Sequence, residues 1–233
     1  MNFSRASALG IRDLHCQRGP LAVHAGELDF ARPGFHAIRG AASSGHEILL
    51  RVLGLLEVPE SGEVFVEGAT TRELTDAARL KLRERRLGFV FAAPFLLPAF
   101  TVIENVAMPL FKIADVEAAE ARLRSEVLLE LVALADESGT ACTDLSPLQQ
   151  HRVALARALV NEPAAVLIEN LDTALADEDL RAFTALLRLA AKRLGVAVVA
   201  TVSPDFTPAH GDRLVDVTDG FAVASELSPR TDA

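Results

Sequence analysis

A chain of 233 residues, 50% of them hydrophobic, can bury one large α/β core or two small ones, and its formal charge of −9 argues against a nucleic-acid-binding surface. No apolar run reaches the roughly 20 residues of a membrane span, and the start M-N-F-S-R-A-S lacks the apolar stretch of a secretion signal, so a cytoplasmic protein is expected. The 2 cysteines, Cys16 and Cys142, belong to no C-x-x-C pair, which excludes a disulfide framework or zinc site and predicts idle, buried thiols.

Residues 11–30 alternate weakly and contain a Gly19-Pro20 turn, which predicts a small antiparallel hairpin or meander. F-H-A-I-R (35–39) suits a buried strand, and I-L-L-R-V-L-G-L-L (48–56) is apolar at helical spacing. Between them lies G-A-A-S-S-G-H-E (40–47). Strand, glycine turn and helix form the arrangement of a phosphate-binding P-loop, whose working pattern is G-x-x-x-x-G-K-[ST]. Gly40 and Gly45 keep its spacing around Ser43 and Ser44, but His46 stands where the phosphate-neutralising Lys belongs and Glu47 where the magnesium-binding hydroxyl belongs.

Further along, E-S-G-E-V-F-V-E-G (60–68) reads as a turn and a strand with Val64 and Val66 on one face. R-L-K-L-R-E-R-R (79–86) has the period of a solvated helical face within a polar helix over 76–86, and L-G-F-V-F (87–91) reads as a strand. Residues 101–135 are mostly helical in pattern, with Pro109 expected to end or kink the first helix. A helix over 145–160 is predicted to start with Ser146 as N-cap and Pro147 at its first position. A-A-V-L-I-E (164–169) and V-A-V-V-A-T-V (196–202) are continuous apolar runs, as in parallel strands covered on both faces, with a helix over about 177–194 between them. Residues 213–226 suit a hairpin, and the last few residues are expected to be disordered. The alternation implies an α/β fold with a mainly parallel core sheet, and the insert over 101–145 implies a helical subdomain.

These segments, in this order, resemble the ATP-binding subunit of ABC transporters, and more narrowly the lipoprotein-release and macrolide-export branch. The resemblance covers nearly the whole chain. It rests on P-E-S-G-E-V-F-V-E-G (59–68), L-G-F-V-F followed by F-L-L-P-A-F-T-V-I-E-N-V-A-M-P-L (95–110), and R-V-A-L-A-R-A-L-V-N-E-P (152–163). It implies a P-loop NTPase-like ABC ATPase fold with an antiparallel β subdomain, a single nucleotide-binding domain over 1–233 with a helical subdomain at about 95–160, ATP and magnesium as cofactors, pairing as a homodimer or a heterodimer with another ABC ATPase subunit, and an integral-membrane permease partner at the inner face of the cell membrane.

The resemblance also assigns roles by position, and the residues present depart from them. Ala92 stands where the family has a Gln that touches the metal. The pair Glu169-Asn170 replaces Asp-Glu: Glu169 can still face a metal, as can Glu47, but Asn170 cannot act as a general base, a loss typically costing about 10²- to 10⁴-fold in rate. The signature L-S-G-G-Q is L-S-P-L-Q here: Ser146 and Gln149 remain, Pro147 has no N–H to donate and Leu148 adds bulk. Val202 replaces the switch His and Ala176 the Asp of the subunit-contact loop, and neither side chain forms hydrogen bonds. Departures concentrated around one ligand, with strands and turns readable elsewhere, predict a degenerate, non-hydrolysing subunit that still docks on a permease. Two alternatives stand beside it: an atypical but active ATP-hydrolysing subunit, and a cytoplasmic regulatory or scaffold protein reusing the fold. The scattered His15, His24, His36, His151 and His210 point to no metal or nucleophile site.

Overall fold

The structure, a computed structural model, describes residue 3 and residues 6–114, 116–173 and 175–225. The chain opens with β1 (Ser7–Arg18), β2 (Leu21–Ala25) and β3 (Leu28–Ala31), and then forms β4 (Gly34–Gly40) and α1 (His46–Leu53). β5 (Ser61–Val66), β6 (Ala69–Thr70), α2 (Asp76–Arg86) and β7 (Leu87–Val90) follow. The helical stretch comprises α3 (Val102–Pro109), a π-helical turn (Leu110–Ala114), α4 (Ala118–Leu131), a 3₁₀ turn (Cys142–Asp144) and α5 (Pro147–Leu159). β8 (Ala165–Ile168), α6 (Asp177–Leu194), β9 (Ala197–Val202), β10 (Arg213–Thr218) and β11 (Phe221–Ser225) complete it.

The strands form one 11-stranded sheet in the order β6-β5-β1-β2-β11-β10-β4-β9-β8-β7, with β3 also on β1. Its half built of β10, β4, β9, β8 and β7 is parallel throughout. The expected antiparallel subdomain is not a separate sheet: β2 pairs in parallel with β11 through Phe221↔His24 and Ala222↔Ala25 and so continues the core sheet into the β1–β5 layer. The Gly19-Pro20 turn and the terminal hairpin form as the sequence predicts. The expected disorder at the chain end lies outside the described residues.

Two apolar layers cover the sheet. On one side α3, α4, α5 and α6 bury Val106, Leu129, Leu155 and Phe183 against Val198 and Ala200; on the other, α1 and the β1–β3 layer bury Leu49, Leu53, Ile11 and Phe30 against Ala197 and Val199. The alternation of β9 between the layers is the period of two of a strand, and it makes a continuous apolar run necessary there. By contrast α2 buries no residue, in keeping with its charged sequence. Pro109 closes α3, and the backbone passes directly into the π-helical turn. Cys16 and Cys142 are buried free thiols. Burial pushes the Cys16 thiol up to about 11, which keeps it protonated and unreactive at neutral pH.

Candidate nucleotide site

Because β4, β9, β8 and β7 run in parallel in one register, with Arg39↔Val202, Ile168↔Ala200 and Val90↔Ile168, their carboxyl ends open at a common edge. An open α/β sheet places its ligand there. That edge gathers Gly40–Glu47 after β4, Ala92 after β7, Glu169 and Asn170 after β8, and Ser203 after β9.

The P-loop folds as a turn closed by Ser44 N–H donating to the Ala41 carbonyl at 2.8 Å. Gly45 adopts φ 88° and passes so close to β2 that a Cβ on it would lie 2.7 Å from the Ala22 carbonyl. A Cβ on Gly40 would meet the Ser44 hydroxyl, which turns inward over the start of the loop, and would lie 3.0 Å from the Val217 carbonyl. The Ser44 hydroxyl accepts from His46 N–H at 3.4 Å and lies 3.3 Å from His46 Nδ1. His46 is 3% exposed, and burial lowers its pKa, so the ring at the Lys position is neutral at physiological pH. The amides of Ala42, Ser43 and Gly45 meet no acceptor among the described residues.

Glu47 occupies the first turn of α1, and its Oε1 accepts a 3.0 Å hydrogen bond from Asn170 Nδ2. Two of the departures seen in the sequence, 123 residues apart, are thus bonded to each other. Asn170 sits at φ 49°, a left-handed conformation that Asn tolerates better than longer side chains, and its N–H donates to Thr201 Oγ1 at 2.8 Å. Beyond β9, Ser203 donates both its N–H and its hydroxyl to the Asp172 carboxylate, at 2.9 and 2.5 Å. Val202 itself faces the core with 1% exposure, on the side of Val198 and Ala200. Glu169 is half-buried at the edge, its N–H donating to Val90. The Ala92 methyl offers no polar atom, but its carbonyl lies 3.3 Å from His151 Nε2, while His151 Nδ1 lies 2.9 Å from the Pro147 carbonyl.

The start of α5 is fully capped. The Ser146 hydroxyl accepts from Gln149 N–H at 3.3 Å, and Gln149 Oε1 accepts from Ser146 N–H at 2.9 Å, a capping box that the S-x-x-Q spacing could have disclosed. Gln149 Nε2 donates to Glu137 at 3.2 Å, so both ends of the amide are engaged within the chain. Ala176, the residue before α6, offers no side-chain cap.

A magnesium triphosphate asks for a cation at the loop and a free oxygen ligand beside it, and these donors do not fit that demand. Glu47 puts a carboxylate, its Oε1 accepting from Asn170, where the family has a neutral hydroxyl beside the phosphates, and His46 is buried and neutral. A cleft of about 440 Å³ beside the loop includes Arg39 as its cation, but that guanidinium is held bidentately by Asp216 at 2.7 and 3.1 Å, and Asp219 adds a further carboxylate. The loop glycines and the sheet edge are those of a phosphate site, whereas the side chains point into one another.

Residues 23–172 match the family model described as ABC transporter. The chain belongs to the ABC transporter family. Among curated relatives, this ABC chain is 37% identical over 218 residues to the lipoprotein-releasing system ATP-binding protein LolD of Hyphomonas neptunium, covering 91% of this chain and 93% of that protein. It is 38% identical over 227 residues to LolD of Paramagnetospirillum magneticum, covering 95% of each. Among solved structures it superimposes with a TM-score of 0.78, at 28% identity over 94% of this chain and 99% of the other, on the ATP-binding cassette MJ0796 in a dimeric post-hydrolysis state bound to ADP and Pi. The cassette cbiO1 of Clostridium perfringens shares the fold with a TM-score of 0.85 at 22% identity, covering 94% of this chain and 87% of that one. This is the ABC ATPase fold with a curled mixed sheet, and the family binds ATP with magnesium. No helix among the described residues is long and apolar enough to cross a membrane.

Proposed function

We propose that this chain is an ATP-binding-type subunit of a lipoprotein-release-like ABC transporter in which hydrolysis is absent or severely impaired, and which works by docking on an integral-membrane permease. The observation that carries the proposal is the Asn170–Glu47 hydrogen bond. It joins the family's general-base position, here a neutral amide that cannot act as a base, to its magnesium-ligand position, here a carboxylate with one oxygen turned toward that amide. The buried neutral His46 and the absence of an N–H at Pro147 weaken phosphate binding from both halves of a paired site. Either a homodimer or a heterodimer with an intact ATPase subunit would carry these defects into both composite sites.

The docking half of the proposal rests on α3. Thr101 and Glu104 form a capping box, and Asn105 is fully buried and bonded to the Leu97 backbone in both directions, at 2.7 and 3.1 Å. These contacts hold open an apolar groove of about 460 Å³ whose walls include Phe100, Ile103, Met108 and Phe111. Phe111 is 52% exposed, an apolar surface that a permease helix would cover. The chain would then act as one domain, with the segment at about 95–160 as its partner-facing part, at the cytoplasmic face of the membrane.

Two measurements test this. Steady-state turnover of the purified protein should be indistinguishable from background, whereas turnover at a normal family rate that His46→Ala abolishes would refute the degenerate reading. Co-expression with the membrane subunit of a lipoprotein-release system should yield a complex that Phe111→Asp breaks; an unaffected complex would remove the α3 groove from the account.

A further inference from the structure

At the opposite edge of the sheet from the P-loop, where β4, β8 and β9 begin, a groove of about 580 Å³ runs between α4, the end of α6 and the turn after α5. Its floor is core: Leu128, Leu159 and Val196 are each at most 8% exposed. Its walls are not. Leu123 and Val127, one turn apart on α4, are 62% and 57% exposed, and Leu194 at the end of α6 is 43% exposed. Helix α4 is therefore apolar on two sides, since Ala121, Ser125 and Leu129 already turn inward. A solvated helix places charge on its outer face, and an i, i+4 apolar pair there marks a surface that gains by being covered.

The charge around the groove says what covers it. The lining carries three arginines, Arg32, Arg124 and Arg193, against one carboxylate, Glu162, on a chain whose net charge is −9. Arg32 shares Glu67 with Arg86 and Arg124 is paired with Glu120, so the lining cation without an ion partner among the described residues is Arg193, and the acidic preference rests chiefly on it. We infer that this groove is a docking site for an acidic amphipathic helix of a partner protein, its apolar side chains seated between Leu123, Val127 and Leu194 and its carboxylates on the arginine rim. A second copy of the chain in the same groove would bring two positive rims together, and a flat lipid surface would not fill a concavity with a core-level floor. The groove is separate from the one along α3 and takes its members from a different face of α4, so the inference stands independently of the permease proposal.

The test uses the full chain and a labelled helical peptide of about 16 residues, with leucines at i, i+3, i+4 and i+7 flanked by glutamates, against the same peptide with lysines for glutamates. Fluorescence anisotropy should show the acidic peptide binding at least ~10-fold more tightly, with the advantage shrinking as salt is raised. Leu123→Glu combined with Val127→Glu should abolish binding of both peptides, and Arg193→Glu should remove most of the difference between them. These side chains are exposed, and an unchanged circular-dichroism melt confirms the fold of each variant. Equal binding of the two peptides, or binding that survives Leu123→Glu/Val127→Glu, overturns the inference. So does sedimentation showing a self-dimer that those two changes dissociate, or capture by phosphatidylglycerol vesicles that they abolish.

Discussion

The P-loop edge and the α3 segment present opposite surfaces. At the P-loop edge polar side chains face inward: Ser44 meets His46, Asn170 meets Glu47, and Asp172 meets Ser203. Along α3 the polar groups are spent on the backbone, through Thr101, Glu104 and Asn105, while Phe100 and Phe111 face outward. Internal polar contacts remove hydrogen-bonding capacity that a charged ligand would use, whereas internal capping leaves an apolar surface free to be covered. The same kind of bond therefore turns polar side chains inward in one region and leaves an apolar surface exposed in the other. Which groups it consumes makes the difference.

The comparison breaks most sharply at Asn105. Its fully buried amide accepts from Leu97 N–H and lies within bonding distance of the Leu97, Phe100 and Thr101 carbonyls, so Asn105→Ala leaves several buried groups without partners. The expected cost is about 3 kcal/mol of stability by denaturant unfolding, and a cost below about 1 kcal/mol would mean that the α3 groove is not held by this residue.

Acid should separate the two regions next. His36, on the strand leading into the P-loop, is 1% exposed, and burial pushes its pKa down from 6.5 to about 4. Between those values the unfolded chain binds a proton that the folded chain refuses, so stability present above pH 6.5 is lost as pH falls toward 4. At 1.36 kcal/mol per unit this amounts to about 3 kcal/mol, and His46, lowered for the same reason, adds to the same slope. His36→Gln should flatten the pH dependence, and hydrogen exchange at pH 5 should show β4 and α1 losing protection before α3. Equal loss in both places would contradict the assignment.

A smaller effect sharpens the account of the P-loop edge itself. Asn170→Glu brings the family-type residue back, but beside Glu47 it sets two carboxylates where one amide donated at 3.0 Å, and it places a longer side chain at φ 49°. The expected cost is about 1–2 kcal/mol at pH 8. The carboxylate pair raises a folded-state pKa above its unfolded value, so the folded chain binds the extra proton and stability recovers as pH falls toward 5. Adding Glu47→Ser should recover the loss at pH 8. A stability independent of pH in the single variant would show that the two positions do not interact.

Much of this was legible along the chain. The glycine spacing at 40 and 45, the continuous apolar strands and the Ser146 cap depend on neighbours a few residues away, and they formed where the pattern placed them. The inward face of Val202 also follows from the period of two along β9, although its chemistry draws attention to the missing histidine instead. What could not be read is pairing at long range. Asn170 and Glu47 stand out in the sequence one at a time, but their bond to each other exists only once β4 and β8 are brought to one edge, and the continuity of the sheet rests on only two residue pairs between β2 and β11. Ser44 folding back over Gly40 depends on a side-chain direction that no local motif encodes.

The central claim is that the carboxylate at the magnesium position and the amide at the general-base position bind each other rather than a nucleotide. Calorimetric titration of ATP into the purified chain, with and without magnesium, tests it most directly. The account predicts weak binding at most, carried by the free loop amides and unchanged by the metal. Tightening by about tenfold or more when magnesium is added, equivalent to ~1.4 kcal/mol, would contradict it.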